Sequence, residues 1–324
     1  MKAFAFWLTG FFCLGAVSFA AEQDTKAEAL AHYTMGLLNE WNETEDQGLA
    51  EYEKALKLDP LSYAIHLRLG VAYGRRGQFD KATEELKKAA DLNPADVEAH
   101  YLLAIIYSSQ ENDEKANDEY EIILRRVAEK NPESPEIPVF LGQLYFSEGK
   151  ISEAIAEFEK ALLKSGPSAE LYSILGSLYL ELPDREKAIA SFKKSIDLDP
   201  KNDGSLNSLG YMYAEDGQDL DEAVALIQRA LDVDPENGAY LDSLGWAYYK
   251  KGDLDKARLF LERALGFIKD PVIYDHLGDT YQKMNDLEAA LLHWKRSLDL
   301  LPQQESILQK IDKAEDSIKK PTTN

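Results

Sequence analysis

Three histidines, His32, His66 and His100, recur at equal spacing and are the first residues to weigh as metal ligands. Zinc holds its nitrogens about 2 Å from one ion. Equivalent positions on helices one period apart are separated by roughly a helix diameter, ~10 Å, so this ladder reads as packing. Asp232, Asp234 and Glu236 begin like a calcium loop, but Asn237 stands in place of its glycine and Ser243 in place of the closing glutamate. That leaves a loop that ends a helix. The chain contains no Gly-rich phosphate loop, no G-x-S-x-G elbow and no H-E-x-x-H pair. Its single cysteine, Cys13, excludes a disulfide framework and a thiolate metal cluster. Asp and Glu number 58 against 36 Lys and Arg, for a net charge of −22. In so acidic a chain, paired carboxylates read as solvated surface. The same field repels nucleic acid phosphates and anionic lipid headgroups. The residue types therefore predict no catalytic group, no metal, no cofactor and no nucleic-acid partner.

Any binding chemistry must then come from side chains set out by a repeated scaffold. Eight of the 12 prolines form a ladder: Pro60, Pro94, Pro132, Pro167, Pro200, Pro235, Pro271 and Pro302. A second, more regular ladder of small residues runs through Gly36, Gly70, Ala104, Gly142, Gly176, Gly210, Gly245 and Gly278. Self-similarity at a fixed period of about 34 residues is the mark of a solenoid. A leucine precedes nearly every small residue, and a tyrosine follows three positions later in seven units, from Tyr73 to Tyr281. Those positions share one face of a helix. A break follows at Gly77, Gly149, Gly217, Gly252 or Asn285, residue types that tolerate the left-handed conformation at a helix end. The second helix carries a small, large, small pattern, as in Ala154, Phe158, Ala161 and Ala257, Leu261, Ala264. Proline then stops it.

On these residues the chain resembles the tetratricopeptide repeat family, with its Leu-Gly, Tyr, Ala, large, Ala and closing Pro. The resemblance implies an all-α, right-handed α-solenoid of about eight helix pairs, with first helices lining a concave groove. The units are placed at 29–62, 63–96, 97–134, 135–168, 169–202, 203–237, 238–270 and 271–304. Residues 305–320 carry Ile307, Leu308, Ile311, Ala314 and Ile318 as one stripe of a capping helix, and 321–324 are a tail. The third unit has four extra residues near Ile122–Val127, about one helical turn, followed by Pro132, Pro135 and Pro138. They read either as a loop insertion or as a bend between three N-terminal and five C-terminal repeats. In the family's geometry, positions three before, one after, four after and five after the small residue enter the groove. They place Tyr33, Trp41 and Tyr101 there in the N-terminal half, with Leu37, Leu67, Val71 and Ile105. In the C-terminal half they place Asn207, Tyr211, Asp242, Trp246, Tyr249, Asp275 and Asp279. The Lys, Asn and Arg set with which some relatives clamp a terminal carboxylate is absent. Because Leu244 and Tyr248 supply its helix's packing face, Trp246 is expected to stand free as a binding anchor.

The N-terminus adds a location. Lys2, an apolar run over Ala3–Val17 and small residues at Ser18 and Ala20 have the order of a secretory signal peptide covering 1–20, with 21–28 as a leader. The apolar run is shorter than the ~20 residues of a bilayer span, and no later segment reaches that length. The expectation is an exported, non-catalytic scaffold, periplasmic before secreted, holding a partner peptide or helix in its groove during envelope assembly or maintenance. The alternatives are recognition of a glycan or small molecule in the same groove, and a regulatory subunit of an envelope enzyme.

Overall fold

A computed structural model describes the backbone of residues 5–217 and 219–319, and the side chains of 23–217 and 219–318. Among the described residues every regular element is an α-helix. The chain falls into two compact units, Met1–Lys150 and Ile151–Asn324, so the division lies inside the fourth helix pair.

The first unit contains α1 (Ala5–Trp41) with α2 (Glu45–Leu58), α3 (Tyr63–Arg75) with α4 (Phe79–Leu92), α5 (Glu98–Ser109) with α6 (Asp113–Lys130), and α7 (Glu136–Ser147). The second contains α8 (Ile151–Ser165), α9 (Ala169–Glu181) with α10 (Arg185–Leu198), and α11 (Asp203–Asp216) with α12 (Leu220–Val233). It continues with α13 (Gly238–Lys251) and α14 (Leu254–Phe267), α15 (Pro271–Lys283) and α16 (Leu287–Leu300), and ends in α17 (Glu305–Lys319). The side chains of 1–20, which carry the signal-peptide reading, and the tail 321–324 lie outside the described residues. Residues 21–28 are helical and continuous with α1. Among the described residues no helix is long and apolar enough to cross a membrane.

The small-residue ladder has a steric cause. In six of the pairs a large side chain of the second helix lies against the glycine of the first. A Cβ on Gly176 would come within 2.6 Å of Phe192, and one on Gly245 within 2.7 Å of Leu261. Phe192, Leu261 and Trp294 are fully buried at these crossings. Burying such a side chain stabilises by roughly 1.5–3 kcal/mol. The tyrosine ladder joins neighbouring pairs. Tyr73 donates to Glu53 of α2 (2.8 Å), Tyr179 to Glu159 of α8 (2.7 Å) and Tyr281 to Glu262 of α14 (2.8 Å). The helix breaks take positive φ as their residue types suggest, +84° at Gly252 and +63° at Asn285.

Two expectations need correction. The four extra residues of the third unit form no loop; they lengthen α6 to 18 residues, against 14 in α2 and α4. The capping stripe is narrower than its pattern: Ile307, Ile311 and Ala314 pack on Ala290 and Trp294, while Leu308 and Ile318 are exposed.

Candidate functional site

In the second unit the first helices α9, α11, α13 and α15 meet one after another. Their shared face carries seven of the sequence-predicted residues. Trp246 is 9% exposed, and its ring is enclosed. It stacks on Tyr249 of its own helix at 4.6 Å and on His276 of α15 at 4.0 Å. Its indole N–H donates to Glu215 of α11, and Lys250 lies 5.0 Å over its face. Asp242 is buried as well, 2.9 Å from His276 Nδ1. The expectation that Trp246 has no packing role is therefore corrected. The helix pattern assigns a residue to a face of its own helix, but Glu215 and His276 arrive from the helices on either side.

Asp275 and Asp279 are also engaged. Lys310 of α17 donates to both, at 2.7 and 2.8 Å, and Trp294 donates to Asp279 at 3.1 Å. Burial raises the Asp279 pKa above the ordinary carboxylate value against the pull of Lys310. Burial opposes the charge of Lys310, yet its two carboxylate bonds raise its pKa overall. Burial, with the charges of Glu215 and Asp242, pushes the Tyr211 phenol up to about 12. Asn207 keeps a buried Oδ1 with no hydrogen-bond partner. An orphaned buried acceptor costs free energy until a donor reaches it.

The first unit presents a different surface. Tyr33 is half-buried against Tyr52, whereas Trp41 is 86% exposed at the end of α1. Tyr101 and Ile105 on α5 and Phe146 on α7 are 53%, 44% and 53% exposed. They occupy positions three before, one after and four after their small residues. Each histidine of the ladder has a carboxylate partner on the following helix. His32 lies 2.6 Å from Glu51, His66 from Glu85 and His100 from Glu119. The glutamates share the repeat's period and can be read from it. Among the described residues no group of three or more His, Cys, Asp or Glu could hold a metal ion.

Profiles of the tetratricopeptide repeat match residues 51–84, 114–170, 141–203, 191–225 and 212–271, and a TPR repeat profile matches 75–111. Together they span well over half of the chain. The chain belongs to the tetratricopeptide repeat family. Among solved structures it is similar to the Cut9–Hcn1 hetero-tetramer of the APC/C, at 20% identity and a TM-score of 0.55, covering 83% of this chain and 52% of that one. A TPR protein of Thermus thermophilus is 24% identical over 56% of this chain and 98% of its own, with a TM-score of 0.46. MamA of Desulfovibrio magneticus RS-1 is 18% identical over 53% and 97%, with a TM-score of 0.47. No curated protein matches the chain. At these identities the likeness is one of fold.

Within the TPR array the two first-helix faces thus differ in what they leave available. The second unit's aromatic and acidic groups are largely bonded to one another, leaving Asn207 as a free acceptor. The first unit leaves Trp41, Tyr101, Ile105 and Phe146 open to solvent, while Leu67 is buried and Tyr33 and Leu37 pack on its core. Apolar side chains standing open at a repeat's variable positions can be desolvated by a partner's side chains.

Proposed function

We propose that this TPR chain is a non-catalytic adaptor that holds a segment of a partner protein on its first-helix face. It is exported through residues 1–20 and acts in the cell envelope. The observation that carries the binding reading is the exposure of Tyr101, Ile105 and Phe146 at successive first-helix positions, where the repeat's own packing asks for none of them. An amphipathic helix or extended segment with apolar residues suits that surface. The export reading rests on Lys2, the apolar run and the Ser18-Phe19-Ala20 sequence. Purification of the native complex from envelope fractions tests the binding reading. Ile105→Asp and Phe146→Ser should each weaken partner retention by about tenfold or more, with helicity and melting temperature unchanged. Equal retention by both variants would remove the face from the account. Mass spectrometry showing residues 1–20 retained would remove the export reading and leave the binding reading standing.

A further inference from the structure

The histidine–glutamate ladder loses its histidine at the fourth helix pair, where Pro138 takes that place, and its glutamate at the fifth. In the second pair, His66 reaches back to the closing proline's carbonyl, Pro60 O at 3.0 Å, and forward to Glu85. Lys88, three residues beyond Glu85, is bonded to it at 3.2 Å. The same Glu and Lys spacing is bonded in the first pair, Glu51 with Lys54 at 2.6 Å, and on α8, Glu157 with Lys160 at 2.6 Å. In the fifth pair Tyr172 stands in the histidine's place and Ser191 in the glutamate's, while the lysine is kept as Lys194. Lys194 lies 5.1 Å over the Tyr172 ring and has no carboxylate partner among the described residues.

Shortening glutamate to serine also opens space. A cleft of about 480 Å³ lies between α8, α9 and α10, lined by Leu162, Leu163, Pro167, Tyr172, Ser191 and Lys194. Leu163 is 86% exposed at its edge. Of the other charged groups in its wall, Lys187 is paired with Asp184 at 3.1 Å, and Glu159 keeps its charge while accepting from Tyr179 at 2.7 Å. The volume falls in the range of pockets that enclose small ligands or a few side chains.

We infer that this cleft binds an acidic residue flanked by aliphatic ones in a partner polypeptide, whose carboxylate takes on Lys194 the place that glutamate fills beside the lysine in the first, second and fourth pairs. The apolar wall receives the flanking side chains, and charge complementarity sets the preference for Glu or Asp over an amide. This site is separate from the first-helix face and stands or falls without it.

The test uses the full chain and two probes, acetyl-Leu-Glu-Leu-amide and acetyl-Leu-Gln-Leu-amide, followed by amide chemical shifts. The Glu probe should bind at least ~10-fold more tightly than the Gln probe, with shifts centred on α9 and α10. Ser191→Glu, which rebuilds the arrangement of Glu85 and Lys88, should abolish that preference without lowering the melting temperature. Lys194→Met should abolish it too, and as an exposed substitution it leaves the fold intact. Absence of Glu-probe binding at millimolar concentration, equal binding of the two probes, or a preference surviving Lys194→Met would each overturn the inference.

Discussion

The two tryptophans at predicted groove positions should respond to truncation in opposite ways. Trp246 is 9% exposed and stacked on two rings, whereas Trp41 is 86% exposed. A buried tryptophan withdraws roughly 200 Å² from water, an upper bound of about 5 kcal/mol at about 25 cal/mol per Å². Its two ring stacks add about 0.5–1.5 kcal/mol each, and partial collapse of the hole offsets part of the loss. Trp246→Ala should therefore cost about 3–5 kcal/mol. For a unit of this size that corresponds to a fall of roughly 6–20 °C in melting temperature. Trp41→Ala should stay within about 0.5 kcal/mol. Urea unfolding followed by circular dichroism measures both, and hydrogen exchange should show the loss first in α11, α13 and α15, since each repeat leans mainly on its neighbours. A Trp246→Ala cost under about 1 kcal/mol, or equal effects at the two sites, would refute the enclosed-ring reading.

Three further outcomes rest on the same contacts. Gly245→Ala drives a methyl to 2.7 Å from Leu261 and should destabilise by about 1–3 kcal/mol, while Gly266→Ala, in open space on α14, should stabilise by about 0.5–1 kcal/mol in the same assay. Carboxyl NMR should find Asp279 titrating above its ordinary 3.8, and higher still in Lys310→Met; a pKa raised by folding means that this site favours the folded state more as pH falls. The Glu51 pKa is lowered, first by Lys54 and then by His32, so its contribution is present above 4.5 and lost as pH falls through the folded value; Glu51→Gln should cost under about 0.5 kcal/mol at pH 7, and that cost should vanish once acid has protonated the folded carboxyl.

The parts of this molecule that are legible in the sequence are those fixed by distance along one chain segment. Gly245 beneath Leu261 is a contact within one helix pair that recurs from repeat to repeat, so steric necessity writes it as a ladder. Gly252 and Asn285 announce helix ends because few residues tolerate their backbone. The enclosure of Trp246 is not legible. Its neighbours Glu215 and His276 come from the preceding and following repeats, and no other repeat has a histidine at the position of His276. The engagement of Asp275 and Asp279 is hidden for the same reason, since Lys310 comes from α17, which follows no repeat pattern. The histidine ladder shows in the sequence by its period, and its glutamate partners carry an equally plain signal: a fixed separation of 19 residues in three successive units.

The central claim, that the first-helix face holds a partner protein, is tested most directly by site-specific photocrosslinking in living cells. A photoreactive phenylalanine analogue placed at Ile105 or at Phe146 should give the same discrete crosslinked product. The analogue at Glu84, exposed on the second helix α4, should give none. Crosslinking of that product from Glu84 as strongly as from Ile105, or no product from Ile105 and Phe146, would contradict the account.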